Sequence, residues 1–130
     1  MGALLLDTHV IHWWSAEPDR VSATARRALR EADEITVAAI SWYELAWLAR
    51  HERIVLNLPI HSWLQGLGEN LRTIGITPAI AATAADLPAS FPGDPADRLI
   101  YATAIELGVK LLTKDRAITK QDEPRSLVVW

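Results

Sequence analysis

Asp7, Glu44, Asp94, Asp97 and Asp115 are the residues of this chain best placed to do chemistry together. Asp7 follows the apolar run Leu4-Leu5-Leu6, and Glu44 follows Ile35–Ile40. Asp94 and Asp97 open a helical stretch, and Asp115 follows Leu111-Leu112-Thr113. In an α/β unit, strand ends and helix starts share one edge of the sheet, so this placement brings all five acids to that edge. Carboxylates gathered there raise one another's pKa values unless a cation holds them. An oxygen-only set without His or Cys ligands suits Mg²⁺ or Mn²⁺ better than zinc.

Each acid also has a purely structural explanation, because helix N-termini favour acidic residues. Ser41-Trp42-Tyr43-Glu44 fits a capping box, with Ser41 as cap and Glu44 reaching back to its amide. Asp94-Pro95-Ala96-Asp97 is a good helix start with proline in first place, and Asp7 and Asp115 each precede a helix. The joint pattern goes beyond capping. Ser, Thr or Asn would cap every junction without like-charge repulsion. Asp94 is the member that capping alone explains best.

The elements that must position these acids alternate along the chain. Ala3–Leu6 reads as a strand covered on both faces, Thr8–Ser15 as a helix, and Glu17-Pro18-Asp19 as its break. Ser22 opens a helix through Ala32, with apolar residues at helical spacing and arginines on the outer face. Ile35–Ile40 is the second strand, and the helix from Ser41 reaches about Arg50. Residues 52–59 are loop-like, with Ile54-Val55-Leu56 a short run of extended character. Helices are expected over Ile60–Leu67, Pro78–Leu87 and Pro95–Leu107, the last stopped by Gly108. Leu71–Ile76, Val109–Thr113 and Leu127–Trp130 complete the strands, with a short helix from about Arg116. Such alternation predicts one α/β domain over residues 1–130, a parallel sheet of about five strands covered by helices on both faces.

Composition narrows what the site could serve. With 130 residues, half of them hydrophobic, the chain is long enough for one core and too short for two. It has no cysteine, which excludes disulfides and thiol chemistry and is compatible with a reducing cytoplasm, the expected location. Asp7 interrupts the first apolar segment, so neither a signal peptide nor a membrane span is expected. The formal charge of −3 argues against a nucleic-acid partner at first sight. If cations offset the five acids, however, 11 acidic residues remain against 13 basic ones, and the rest of the surface is mildly basic.

Leu-Leu-Leu-Asp7-Thr8-His9, Ser41-x-x-Glu44, Asp94-Pro95-x-Asp97-Arg98-Leu99-Ile100 and Leu-Leu-Thr113-x-Asp115 resemble, in order and spacing, the PIN domain. More narrowly they look like the VapC toxins of bacterial type II toxin–antitoxin pairs. The resemblance covers essentially the whole chain and rests on four motifs in register. It implies a PIN-like fold and endonucleolytic cleavage of RNA, with transfer RNA or a ribosomal RNA loop as the substrate class. It also implies Mg²⁺ or Mn²⁺ as cofactor, a small antitoxin of VapB type as partner, and a homodimer. Asp7, Glu44, Asp97 and Asp115 take the places of the family's acidic quartet, with Asp94 auxiliary. Asp7, Asp97 and Asp115 are then the expected metal ligands, and Glu44 orients the water or completes the shell. Pro92 stands where many relatives carry a histidine.

Around the acids, Thr8 and Thr113 are candidate hydroxyl donors to a carboxylate or phosphate, or simple caps. Arg98 is a candidate to orient a carboxylate or meet the phosphate, and Lys114 and Arg116 to grip the RNA backbone, or all three are solvated charges. His9 and His12 read as helix packing near the site rather than as a general base. The tryptophans Trp13, Trp14, Trp42, Trp47 and Trp63 read as core or interface residues, with base stacking the weaker use. Two rival readings are a phosphoacceptor signalling domain and a PIN scaffold that only binds a partner. The first needs adjacent acids before one strand end, yet Glu44 and Asp97 fall inside helices and Ile76-Thr77-Pro78 brings no acid. A haloacid-type phosphatase needs Asp-x-Asp, and His9 occupies the second place. The complete quartet argues against the second.

Overall fold

A computed structural model describes residues 2–130. Five strands form one all-parallel sheet: β1 (Ala3–Leu6), β2 (Glu34–Ala38), β3 (Arg72–Ile74), β4 (Lys110–Leu112) and β5 (Val128–Val129). Seven helices connect and cover them: α1 (Thr8–Ala16), α2 (Ala23–Glu31), α3 (Ala39–Arg50), α4 (Ile60–Gly68), α5 (Pro78–Asp86), α6 (Pro95–Leu107) and α7 (Arg116–Gln121). The α/β class with one parallel sheet is as the alternation predicts. A 3₁₀ turn at Pro18–Arg20, not anticipated in the break after α1, links α1 to α2.

The sheet order β3-β2-β1-β4-β5 fixes where a site can lie. The chain builds outward from β1 to β2 and β3, then returns to the other side of β1 for β4 and β5. The direction of winding therefore reverses between β1 and β4, and the crevice beyond their C-terminal ends is the topological switch point. The register places Leu6 of β1 opposite Val37 of β2 and Leu112 of β4, so three central strands end nearly level. The Asp7 amide continues the ladder by donating to the Leu112 carbonyl at 2.9 Å.

Side-chain alternation along β1 divides the core. Leu4 and Leu6 pack with Val10, Ile11, Ala25, Leu29 and Leu45 from α1, α2 and α3 on one face. Leu5 packs with Ile100, Tyr101, Leu111 and Ile118 on the other. Both faces of the central strand are covered, which is why its sequence is a continuous apolar run rather than an alternating one. The arginines of α2, Arg26, Arg27 and Arg30, are exposed as its amphipathic pattern requires. Among the described residues no helix is long and apolar enough to cross a membrane.

Several boundaries differ from the sequence-based ones. β2 ends at Ala38 and α3 begins at Ala39, so Ile40 and Ser41 are helical. β3, β4 and β5 are shorter than the apolar runs that contain them, because a strand continues only while a neighbour pairs with it. Residues Ile54, Val55 and Leu56 form no strand; Ile54 instead tucks into the core, while Val55 is 89% exposed.

Candidate active site

Asp7 is the most enclosed of the five acids, with 7% of its surface exposed. It caps α1, and its Oδ1 accepts the Thr8 amide at 2.8 Å. Its Oδ2 accepts the Thr113 hydroxyl at 2.6 Å, joining the ends of β1 and β4. The Thr113 oxygen in turn accepts the Asp115 amide at 3.0 Å, and Thr113 is fully buried. One threonine thus orients Asp7 and shapes the turn that presents Asp115. Burial pushes the Asp7 carboxyl above its ordinary value of 3.8, with Asp115 adding repulsion, while the two hydrogen bonds and His9 oppose the shift.

Glu44 is not part of a capping box. Because α3 starts at Ala39 with Ala38 as its cap, Ser41 is already inside the helix and Glu44 lies in the second turn. Glu44 Oε1 instead accepts the Thr8 hydroxyl at 2.5 Å, and the Thr8 oxygen lies 3.0 Å from the Ser41 hydroxyl. Thr8 has one hydroxyl proton to give, so with Glu44 receiving it, Ser41 acts as the donor to Thr8. Burial raises the Glu44 carboxyl, as do Asp94 and Asp7, against the lowering effect of Thr8 and His9.

Asp97 has no such support. Among the described residues nothing donates a hydrogen bond to its carboxylate, and burial together with Asp7, Asp94, Asp115 and Glu44 pushes its pKa up to about 7. Asp94 caps α6 by accepting the Ala96 amide at 2.8 Å. Asp115 caps α7, its Oδ1 accepting the amides of Ala117 and Ile118 at 2.8 and 3.2 Å. Capping and membership of the site therefore coincide. All five acids line one cleft of about 540 Å³ at the switch point.

A half-buried carboxylate that lies near four others and, among the described residues, accepts no hydrogen bond would suit a bound cation, and the carboxylate oxygens would suit Mg²⁺ or Mn²⁺. Among the described residues no three acidic or histidine side chains form a ready-made cluster around one ion.

Several expectations around the acids change. Arg98 meets neither a carboxylate nor the cleft; its guanidinium donates to the carbonyls of Pro92, Ala84, Leu87, Pro88 and Phe91 at 3.0–3.5 Å. It is a staple for the loop that leads into α6, and Pro92 supplies one of its acceptors. Arg116 is exposed and lies outside the lining of the cleft, whereas Lys114 is part of it. His9 is exposed on the cleft wall rather than packed inside, while His12 turns away to Glu17 and Trp63. Sequence reasoning missed Arg20, which enters the cleft from the 3₁₀ turn. Trp13 lines the cleft as well as packing on the core, while Trp14 and Trp47 are substantially exposed.

Comparison with known proteins gives this geometry its context. The chain is 62% identical over 130 residues, the full length of both, to Ribonuclease VapC22 of Mycobacterium tuberculosis. Its fold is similar to that of a DNA-bound VapBC from Salmonella typhimurium, at a TM-score of 0.71 and 18% identity, covering 99% of this chain and 98% of that one. It is also similar to a toxin–antitoxin complex from Klebsiella pneumoniae, at a TM-score of 0.70 and 22% identity, covering 98% and 96%. The sequence matches the PIN domain over residues 4–124. With the acids at the switch point and a full-length relative at this level of identity, the chain belongs to the PIN-domain family, in its VapC ribonuclease branch.

Proposed function

We propose that this protein is a Mg²⁺- or Mn²⁺-dependent endoribonuclease that acts as the toxin of a type II toxin–antitoxin pair and cleaves structured RNA, either tRNA or rRNA. The observation that carries the proposal is Asp97, a half-buried carboxylate near four others that accepts no hydrogen bond among the described residues. The name of the 62% identical relative supports RNA as the substrate. The toxin–antitoxin complexes among the structural neighbours support a VapB-type antitoxin as partner. Exposed Tyr43, Trp47 and Val55 supply apolar surface suited to a second copy of the chain or to an antitoxin helix.

When bound, a divalent ion lowers the pKa of a coordinated water and offsets charge on the phosphate and leaving oxygen. The chain's own residues do the positioning. Asp97, Asp7 and Asp115 would hold the ion, directly or through water. Thr113 fixes the rotation of Asp7 by donating to its Oδ2. Thr8 holds Glu44 by Oε1, which leaves Oε2 to accept a hydrogen bond from the attacking water. The water oxygen bonds to phosphorus and gives up a proton, the bond from phosphorus to one ribose oxygen breaks, and that oxygen takes up a proton.

The test is cleavage of tRNA and rRNA by the purified chain with Mg²⁺ or Mn²⁺, alongside Asp7→Asn and Asp97→Asn. Activity is expected to vanish in both variants and on chelation, with circular dichroism unchanged. Equal cleavage by all three proteins would refute the proposal. Mapping new RNA 5′ ends in cells expressing wild type against Asp97→Asn then identifies the substrate.

A further inference from the structure

The cleft that holds the five acids is not acidic all round. Arg20 and Lys114 also line it, and both rest on one indole. The Arg20 guanidinium lies 4.6 Å from the Trp13 ring centroid, and the Lys114 ammonium 5.9 Å. Trp13 is itself fixed: it is only 9% exposed and packs edge-on against Trp130 at 6.0 Å. The two cations come from separate parts of the chain, the 3₁₀ turn after α1 and the turn between β4 and α7.

Neither cation is spent on the acids beside it. Among the described residues Lys114 has no salt bridge, and Arg20 has one loose contact, 3.8 Å to Glu17, with both side chains about half exposed. A contact of that kind contributes little, on the order of 0–1 kcal/mol. An aromatic seat holds a cation by its ring face and leaves the N–H donors free for an anion. The cleft therefore pairs a carboxylate wall with a basic wall.

We propose that Arg20 and Lys114, seated on Trp13, form a subsite for a backbone phosphate of the RNA next to the one that is cut. The proposal rests on the ribonuclease reading of the cleft. It resolves an electrostatic difficulty of that reading, because an acid cluster repels a polyanion and the chain's net charge is −3. A basic wall inside the same cleft offers local attraction where it is needed and holds the strand at a fixed distance from the acids. An acidic peptide segment has the same attraction to two cations, but the wall shares its space with the reacting groups, which favours the substrate.

The experiment compares the full chain with Arg20→Ala, Lys114→Ala, the double variant and Arg20→Lys, in Mg²⁺, on a labelled oligoribonucleotide that carries the cleavage site mapped in cells. Each alanine variant is expected to raise KM roughly tenfold, with a smaller effect on kcat, and to lower the slope of log affinity against log salt by about 1. Arg20→Lys is expected to restore most of the slope. A neutral methylphosphonate linkage stepped through the substrate should raise KM at one position beside the cut in wild type and have no effect there in the double variant. Two results overturn the subsite: kcat falling with KM and salt slope unchanged, or unchanged kinetics with weakened binding of the antitoxin. If wild type does not cut RNA at all, the ribonuclease reading fails by itself. The same variants are then compared for binding a mixed-sequence oligoribonucleotide by fluorescence anisotropy. Weaker binding with a reduced salt slope keeps the subsite; unchanged binding removes it.

Discussion

Hydroxyls and backbone amides, rather than charges, hold four of the five acids of this site in place. Thr113 donates to Asp7 while accepting from the Asp115 amide, and Thr8 donates to Glu44. Thr113→Val leaves Asp7 Oδ2 and the Asp115 amide without their partner in a buried place. The expected cost is about 1–3 kcal/mol of stability, with activity falling by roughly 10- to 100-fold, as for other residues that orient a ligand. Thr113→Ser keeps the hydroxyl and should recover most of the activity; urea unfolding and cleavage rates on the same preparations separate the two effects. The positions of Asp7, Asp97 and Asp115 were legible in the sequence because each lies at a strand end or helix start, a place that local pattern marks. The setting of Glu44 was not. Ser41-x-x-Glu44 has the spacing of a capping box, and only the early start of α3 shows that the glutamate is free to meet Thr8. Arg98 was misjudged for a related reason: an arginine next to a candidate acid points from its helix in a direction that sequence does not give.

At the level of elements, the loop between α5 and α6 carries more consequence than its lack of regular structure suggests. It contains Pro88 and Pro92, which lack backbone donors, and its carbonyls are gathered by Arg98. The loop delivers the chain to Asp94 and so sets the direction in which α6 presents Asp97. Arg98→Ala removes this set of bonds from carbonyls that have few other donors, with an expected loss of about 2–4 kcal/mol. Arg98→Lys should recover little, because a single ammonium cannot reach acceptors spread around a planar fork. Hydrogen exchange checks the local effect: faster exchange confined to residues 87–98 is expected, and a uniform change across the sheet would show that Arg98 acts on global stability alone. The order of strands and helices was readable from apolar periodicity, and β1 was found to the residue. The ends of β3, β4 and β5 were not, since pairing with a neighbour, and not composition, decides where a strand stops.

For the whole molecule, the site opposes the fold that builds it. Asp97 has an ordinary pKa of 3.8 and one of about 7 in the folded chain, and Asp7 and Glu44 are shifted in the same direction. Between these two values the folded state binds more protons than the unfolded one, so stability falls as pH rises from about 4 to about 7 and stays low above that. Asp97 is only half buried, so solvent screening reduces its share to roughly 1–2 kcal/mol. In chelator, the Tm of the wild type is expected to fall between pH 5 and pH 8, while Asp97→Asn has a flatter profile and a Tm a few degrees higher at pH 8. Other groups titrate over the same range, and the difference between the two proteins isolates Asp97. Adding Mg²⁺ at pH 8 should raise the wild-type Tm and do less for the variant, because a cation that binds only the folded state stabilises it by mass action and needs the carboxylate to bind. A wild-type Tm that stays ahead of the variant's at pH 8 in chelator would mean that Asp97 already has a neutralising partner, and the physical argument for a cation at this cleft would fall with it.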